Sequence, residues 1–143
     1  MQTQVKELMK RNFETISSDA TLKEAAERMR ELECGALPVS TEGKLAGMIT
    51  DRDIVIRAIP QVNDVGSARV RDYMTTSILS CSENDTLEQA AEKMQKTRTG
   101  RLLVKDSTGK VCGIITLGCI LRKHQDLKEV SKVVACATGK MAA

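Results

Sequence analysis

The first half of the sequence is repeated in the second half, and this duplication limits the possible folds more than any other feature. Three segments return 65 positions later: VKELM as VRDYM, ATLKEAAERM as DTLEQAAEKM, and GALPV as GRLLV. After one inserted residue, GKLAGMIT at 43–50 matches GKVCGIIT at 109–116. Eighteen of the fifty aligned positions are identical. A chain of this kind is expected to fold as two similar units.

Each copy predicts the same order of elements, β-α-β-β-α, and therefore an α+β fold. Thr21 and Thr86 open helices on which apolar residues recur at helical spacing, as in Leu22, Ala25, Ala26 and Met29. A last helix begins just after Thr50 in one copy and Thr116 in the other. Short apolar runs predict the strands, at about 13–17, 36–40 and 45–49, and again at 78–82, 101–105 and 111–115. Because about 60 residues make a marginal core alone, the two pseudo-symmetric repeats are expected to pack sheet to sheet.

The repeats suggest four regions along the chain. The first repeat is predicted at 3–59 and the second at 69–124, joined by a polar, turn-rich linker at 60–68. Residues 125–143 lie outside the duplication. An amphipathic tail helix there would cap a hydrophobic edge or a partner chain through its apolar residues Leu127, Val130, Val134 and Ala137.

Composition excludes several classes of protein. Of 143 residues, 41% are hydrophobic, and 22 Lys and Arg nearly balance 19 Asp and Glu, which argues against disorder. No apolar run approaches the roughly 20 residues needed to cross a bilayer, and the N-terminus does not look secretory, so a cytoplasmic protein is expected. A net charge of +3 with one Tyr and one Phe disfavours nucleic acid as a partner.

The cysteines and the single histidine point to no strong metal or redox site. Five cysteines are an odd number without a C-x-x-C pair, so reduced thiols are expected. Cys112 and Cys119 lie in apolar segments and are expected to be small core residues. Cys34, Cys136 and His124 could meet across a dimer to hold zinc, but their spacing matches no known motif. Met29, Met48 and Met94 are likewise expected in the core.

The duplicated unit, with GALPV followed by GMITDRDIVIRA, resembles a tandem pair of CBS domains, also called a Bateman module. The resemblance covers about residues 3–124, and TDRDIVIRA is similar to small stand-alone CBS-pair proteins of bacteria and archaea. It implies a non-catalytic regulatory module that binds an adenosine-containing ligand in the cleft between its repeats. It also implies a homodimer that pairs through helices. The adenine nucleotide would be a regulatory ligand, and no resident cofactor is expected.

The turn from Gly47 to Asp53 contains the residues best suited to such a ligand. Gly47 would let a ligand lie close to the backbone, and Thr50 would cap a helix whose first N–H groups attract phosphate. Asp53 could accept hydrogen bonds from both hydroxyls of a ribose, and Arg52 could meet a phosphate. The spacing of Thr50 and Asp53 is also typical of a plain helix cap, and Thr50 is expected to cap and bind together.

The second copy departs from this pattern. Thr116 is retained, but Cys119 stands where the first copy has Asp53, and a thiol accepts hydrogen bonds poorly. One competent nucleotide site per chain is therefore expected, with a second, weaker pocket at Cys34, Gly35, Ala36 and Thr116. The family resemblance implies that the opposite repeat completes the Asp53 site, through Ile78, Leu79, Thr99, Gly100 and Arg101. Arg101 is the expected phosphate ligand, since a planar guanidinium suits phosphate oxygens; a solvated strand-edge arginine is the alternative.

The preferred hypothesis is a sensor of AMP, ADP or ATP that signals to an effector protein. S-adenosylmethionine or NAD could take the same place, and the sequence does not choose among them. A structural or DNA-associated protein is a second class, which steep salt dependence of DNA binding would reveal. An enzyme is disfavoured because Asp53, Cys119 and His124 form no supported catalytic pair.

Overall fold

Two eleven-residue helices form where the sequence repeats ATLKEAAERM as DTLEQAAEKM. The computed structural model describes residues 2–139, and in it α2 spans Leu22–Leu32 and α4 spans Leu87–Thr97. Each begins with a reciprocal capping box at its threonine, as when Thr21 Oγ1 accepts from Glu24 N at 3.1 Å. Each ends at a left-handed residue, Glu33 or Arg98. The predicted helix starts are therefore confirmed, because the capping signals are local.

Each repeat builds a three-stranded sheet in which the first and middle strands are parallel and the middle and last strands are antiparallel. The first sheet contains β1 Ile16–Ser17, β2 Ala36–Thr41 and β3 Lys44–Thr50. The second contains β4 Ser80–Ser82, β5 Arg101–Lys105 and β6 Val111–Thr116. Gly43 and Gly109 turn the chain between the antiparallel strands with φ of 79° and 85°, where glycine is favoured. The α+β class and the repeated β-α-β-β-α order are confirmed.

The last helix of each repeat differs between the copies. In the second repeat, α5 Leu117–Lys123 is an ordinary α-helix that ends with His124 N donating to Ile120 O. In the first, Asp53–Ala58 is a π-helix, and Ile59 N reaches back five residues to Ile54 O. Single π-turns inside helices are rare and are frequently found at functional sites. The sequence predicts a helix at this position but not its wider winding.

Packing divides the described residues differently from the repeats. One compact unit holds residues 14–78, and the other holds 2–13 together with 79–139. The short helix α1, Val5–Leu8, buries Val5 in the core around Leu87, and α3, Val70–Tyr73, buries Val70 in the core around Leu22. The leading helix of each sequence repeat thus belongs to the unit that contains the other repeat's sheet. The predicted sequence boundaries describe the duplication and not these packing units.

The C-terminal helix α6 spans Leu127–Thr138 within the predicted tail. Its buried residue is Val133, which packs in the core that contains Leu87 and Met94, with Cys136 and Ala137 partly buried against it. Leu127, expected on the apolar face, is instead 81% exposed in the first turn of the helix, next to the cap Asp126. The last four residues of the predicted tail, 140–143, lie outside the described residues. No helix within 2–139 has the length and apolar character to span a bilayer.

Candidate functional site

Thr50 and Asp53 form a reciprocal cap where β3 runs into the π-helix. Asp53 N donates to Thr50 Oγ1 at 3.0 Å, and Thr50 N donates to Asp53 Oδ2 at 3.0 Å. This is the capping-box arrangement with aspartate in place of the more usual glutamate or glutamine. The side chain of Asp53 is only 9% exposed, so its carboxylate is fixed in place rather than solvated.

Arg57, one helical turn further on, provides the opposite charge. Its Nη1 donates to Asp53 Oδ1 at 3.2 Å and to the carbonyl oxygen of Tyr73 at 2.8 Å. A nearly buried carboxylate is costly unless it is paired, and this contact offsets that cost. The sequence interpretation did not include Arg57, although the four-residue spacing from Asp53 is the usual signal for a helical ion pair.

The N–H groups that open this helix are already satisfied. Asp51 N donates to Gly35 O at 2.9 Å, Arg52 N to Asp51 Oδ1 at 2.8 Å, and Asp53 N to Thr50. These N–H groups, which were expected to be free, therefore have acceptors in this structure, namely side chains and the Gly35 carbonyl, and phosphate binding at this turn stays a prediction. The side chain of Arg52, the predicted phosphate contact in the same turn, is exposed.

Gly47 is required for a reason that the sequence did not reveal. Its neighbour Met48 exchanges two backbone hydrogen bonds with Thr75, at 2.9 and 2.8 Å. A Cβ on Gly47 would overlap the carbonyl oxygen of Thr75 and lie 3.2 Å from its carbon. The expectation that a ligand lies over Gly47 is corrected: the chain's own backbone fills that space. Gly113 is the equivalent residue of the second repeat, where a Cβ would lie 2.9 Å from Lys10 O.

The predicted site residues divide between the two units. Residues 14–78 include Gly47, Thr50, Arg52, Asp53 and Ile78, together with Cys34, Gly35 and Ala36. The hydrogen bond from Asp51 to Gly35 brings the segment 34–36 next to the Asp53 turn. The remaining predicted residues belong to the other unit, namely Leu79, Thr99, Gly100, Arg101 and Thr116. Completion of the Asp53 site by that second set stays a prediction.

The other unit repeats the turn without its carboxylate. Thr116 Oγ1 accepts from Cys119 N at 2.9 Å, and Leu117 N donates to Gly100 O at 2.9 Å, as in the first repeat. Cys119 is buried and its Sγ lies 3.4 Å from Leu8 O, so no side-chain acceptor returns to the backbone of Thr116. Thr99 Oγ1 lies 3.3 Å from Arg101 N, and Arg101 is half-buried at the start of β5. At this turn the two copies therefore share the threonine cap and differ in the acidic side chain.

The thiols do not form a metal centre within residues 2–139, where no three His, Cys, Asp or Glu side chains are grouped. Cys34 belongs to one unit, and Cys136 and His124 to the other. His124 instead contacts Glu129 at 2.8 Å. Burial raises the pKa of Cys81 to about 11, which keeps this thiol protonated at neutral pH. The zinc hypothesis, which requires a second chain, stays untested.

Comparison with known proteins agrees with the repeated architecture. The family model described as "CBS domain" matches residues 5–59 and 70–126. The CBS domain-containing protein YhcV of Bacillus subtilis is 39% identical over 114 residues, which are 80% of this chain and 80% of that protein. Longer relatives include a homoserine O-acetyltransferase and an inosine-5'-monophosphate dehydrogenase, of which the chain spans 23% and 21%.

Solved structures show the same fold. A CBS domain protein from Thermoplasma acidophilum matches with a TM-score of 0.82 and 24% identity, over 99% of this chain and 80% of that one. The structure of CBSX2 in complex with AMP matches with a TM-score of 0.70 and 27% identity, over 88% of this chain and 98% of that one. With two matched segments that cover both repeats, this chain belongs to the CBS-domain family and is a CBS-pair regulatory module.

Proposed function

We propose that this chain senses an adenosine-containing nucleotide through the Asp53 turn and passes the signal to a partner protein. The observation that carries the proposal is the fixed, nearly buried carboxylate of Asp53 at the end of β3. An ionised carboxylate can accept about four hydrogen bonds. Thr50 N and Arg57 Nη1 use two of these positions. The other acceptor positions suit the two vicinal hydroxyls of a ribose.

The phosphate would be held by side chains rather than by backbone N–H groups. The N–H groups of residues 51–53 already have acceptors, whereas Arg52 extends from the same turn and is exposed. Arg101 of the second repeat is the other candidate. CBSX2, a structural neighbour, was solved with AMP, which supports an adenine nucleotide as the ligand class. A sensor of this kind acts on a partner only if the nucleotide prefers one arrangement of the protein.

The first test is binding of AMP, ADP, ATP, S-adenosylmethionine and NAD, measured by thermal shift and calorimetry. A ligand at 100 times its Kd is expected to stabilise the protein by about 2.7 kcal/mol. Asp53→Asn should weaken binding by about tenfold or more, because a hydrogen bond to a charged group contributes about 1.5–3 kcal/mol. Asp51→Asn makes the same charge change in the same turn and should bind nearly as the wild type does.

Two outcomes contradict this proposal. If none of the five compounds shifts the melting temperature, nucleotide sensing is wrong. If Asp53→Asn retains wild-type affinity while Asp51→Asn loses it, the carboxylate has been assigned incorrectly. S-adenosylmethionine or NAD as the tightest ligand would keep the site and change the ligand.

Stoichiometry tests the difference between the repeats. Because Cys119 offers no carboxylate, calorimetry with the preferred nucleotide is expected to give one site per chain. Cys119→Ala should leave the affinity within about twofold, since a thiol contributes little to hydrogen bonding. Two equal sites per chain would contradict the predicted asymmetry, whichever nucleotide binds.

A further inference from the structure

Arg57 contacts both Asp53, the residue proposed to bind the ribose, and a separate segment of backbone. Its Nη1 lies 3.2 Å from Asp53 Oδ1 and 2.8 Å from the carbonyl oxygen of Tyr73. We propose that Arg57 is the positioning residue of the nucleotide site, which orients the Asp53 carboxylate so that it distinguishes a ribose from a deoxyribose. This inference rests on the proposed function, in which Asp53 binds the ribose hydroxyls.

The geometry holds the carboxylate at both of its oxygens. Thr50 N donates to Oδ2 and Arg57 Nη1 donates to Oδ1, at 3.0 and 3.2 Å. The last torsion of an aspartate side chain is broad, so a single contact would leave the carboxylate plane free to turn. Two contacts on different oxygens define that plane before any ligand arrives. A diol that must meet both oxygens then binds without the entropic cost of ordering them.

Tyr73 explains why the arginine itself is held. Tyr73 is the last residue of α3, where carbonyl groups lack helical partners, and an arginine side chain is a suitable donor there. The side chain of Arg57 is about half exposed, at 51%, whereas the Asp53 side chain is 9% exposed. A surface ion pair with that much exposure is usually loose. The additional contact with Tyr73 restricts Arg57 to the orientation that meets Asp53.

The second repeat lacks both members of this pair. Cys119 replaces the aspartate and Lys123 replaces the arginine. A lysine ammonium is a point charge without a planar fork, and it is less suited to orienting a carboxylate. The acceptor and the residue that positions it are therefore present together in one repeat and absent together from the other.

The test compares AMP with 2'-deoxy-AMP by calorimetry in the wild type and in single and double variants. The wild type is expected to prefer AMP by about 10-fold to 100-fold, the range for one hydrogen bond to a charged group. Arg57→Met should reduce this preference to about twofold, because the carboxylate plane is no longer defined. Arg57→Lys, which retains the positive charge, should recover part of the preference. Arg71→Met is the control, because it also removes an exposed, ion-paired arginine from the same unit. This variant should prefer AMP over 2'-deoxy-AMP as strongly as the wild type does.

The ratio of the two affinities separates positioning from a merely structural role. If Arg57→Met weakens AMP and 2'-deoxy-AMP by the same factor, Arg57 only supports the fold and the inference is overturned. The double variant Asp53→Asn with Arg57→Met should prefer AMP over 2'-deoxy-AMP by no less than Asp53→Asn alone does. A smaller preference in the double variant would also overturn the inference. A wild type that binds none of AMP, ADP, ATP, S-adenosylmethionine and NAD overturns the proposed function and this inference with it. If the wild type and Arg57→Met prefer AMP over 2'-deoxy-AMP by the same factor, this inference alone is overturned.

Discussion

Gly47→Ala is expected to lower the free energy of unfolding by about 3 kcal/mol, the upper part of the range for overpacking a close contact. The added Cβ would overlap the carbonyl oxygen of Thr75, which belongs to backbone rather than to a flexible side chain. Relief would require the segment at Thr75 to move away from Met48 and lose two hydrogen bonds of 2.8 and 2.9 Å. Urea unfolding followed by circular dichroism measures the difference.

Gly100→Ala is the matched control for this substitution. A Cβ on Gly100 would find its nearest heavy atom at 3.9 Å, an ordinary van der Waals separation. Its effect on unfolding should stay within about 0.5 kcal/mol. Gly113→Ala should fall between the two, because one of its close contacts is the movable sulfur of Met9 at 2.8 Å. Equal stability of Gly47→Ala and Gly100→Ala would show that the close approach of Thr75 to β3 is not required.

Glu129→Ala is expected to cost about 3 kcal/mol, because it removes one carboxylate that satisfies three donors. Oε1 accepts from Thr3 N at 2.9 Å, and Oε2 accepts from Thr3 Oγ1 at 2.9 Å and from His124 Nε2 at 2.8 Å. The side chains of His124 and Glu129 are only 12% and 13% exposed, so water replaces these bonds poorly. Chemical denaturation gives the cost, and the exposed Glu92→Ala should change stability by no more than about 0.5 kcal/mol.

The pH dependence of this contact has a defined sign. Burial alone would raise the pKa of Glu129, but the hydrogen bonds from Thr3 and His124 outweigh it and hold the pKa below its ordinary value. A carboxyl whose pKa is lower in the folded state stabilises the fold above its unfolded pKa of about 4.3, and this contribution is lost as the pH falls through the folded value. The advantage of the wild type over Glu129→Gln should therefore shrink below about pH 4. An advantage that grows on acidification would contradict this ionised, hydrogen-bonded carboxylate.

The features that the sequence predicts well are local. The capping boxes at Thr21 and Thr86 involve residues only three positions apart, so their signal survives in a single sequence. The Thr50–Asp53 cap and its loss at Cys119 are equally local, and comparing the two repeats residue by residue is enough to reveal the asymmetry between them. The apolar stripes of α2 and α4 likewise predict most of the residues that are buried, but Ala26 of the predicted α2 stripe is exposed.

Contacts between distant residues leave no comparable signal. The contact of Arg57 with Tyr73 has no sequence signal, because its acceptor is a backbone carbonyl that could belong to any residue type. The satisfied N–H of Asp51 depends on Gly35 in the same way. Glu129 and Thr3 lie 126 positions apart, and neither belongs to a repeated motif.

The sequence by itself determined the duplication, the α+β order of each repeat and the placement of one acidic turn. These features follow from periodicity and capping, which act within a few residues. Only the tertiary structure decided that α1 and α3 each join the unit holding the other repeat's sheet, and that Thr75 occupies the space beside Gly47. Such choices depend on shape and on backbone hydrogen bonds between remote segments, and backbone groups are chemically the same at almost every position.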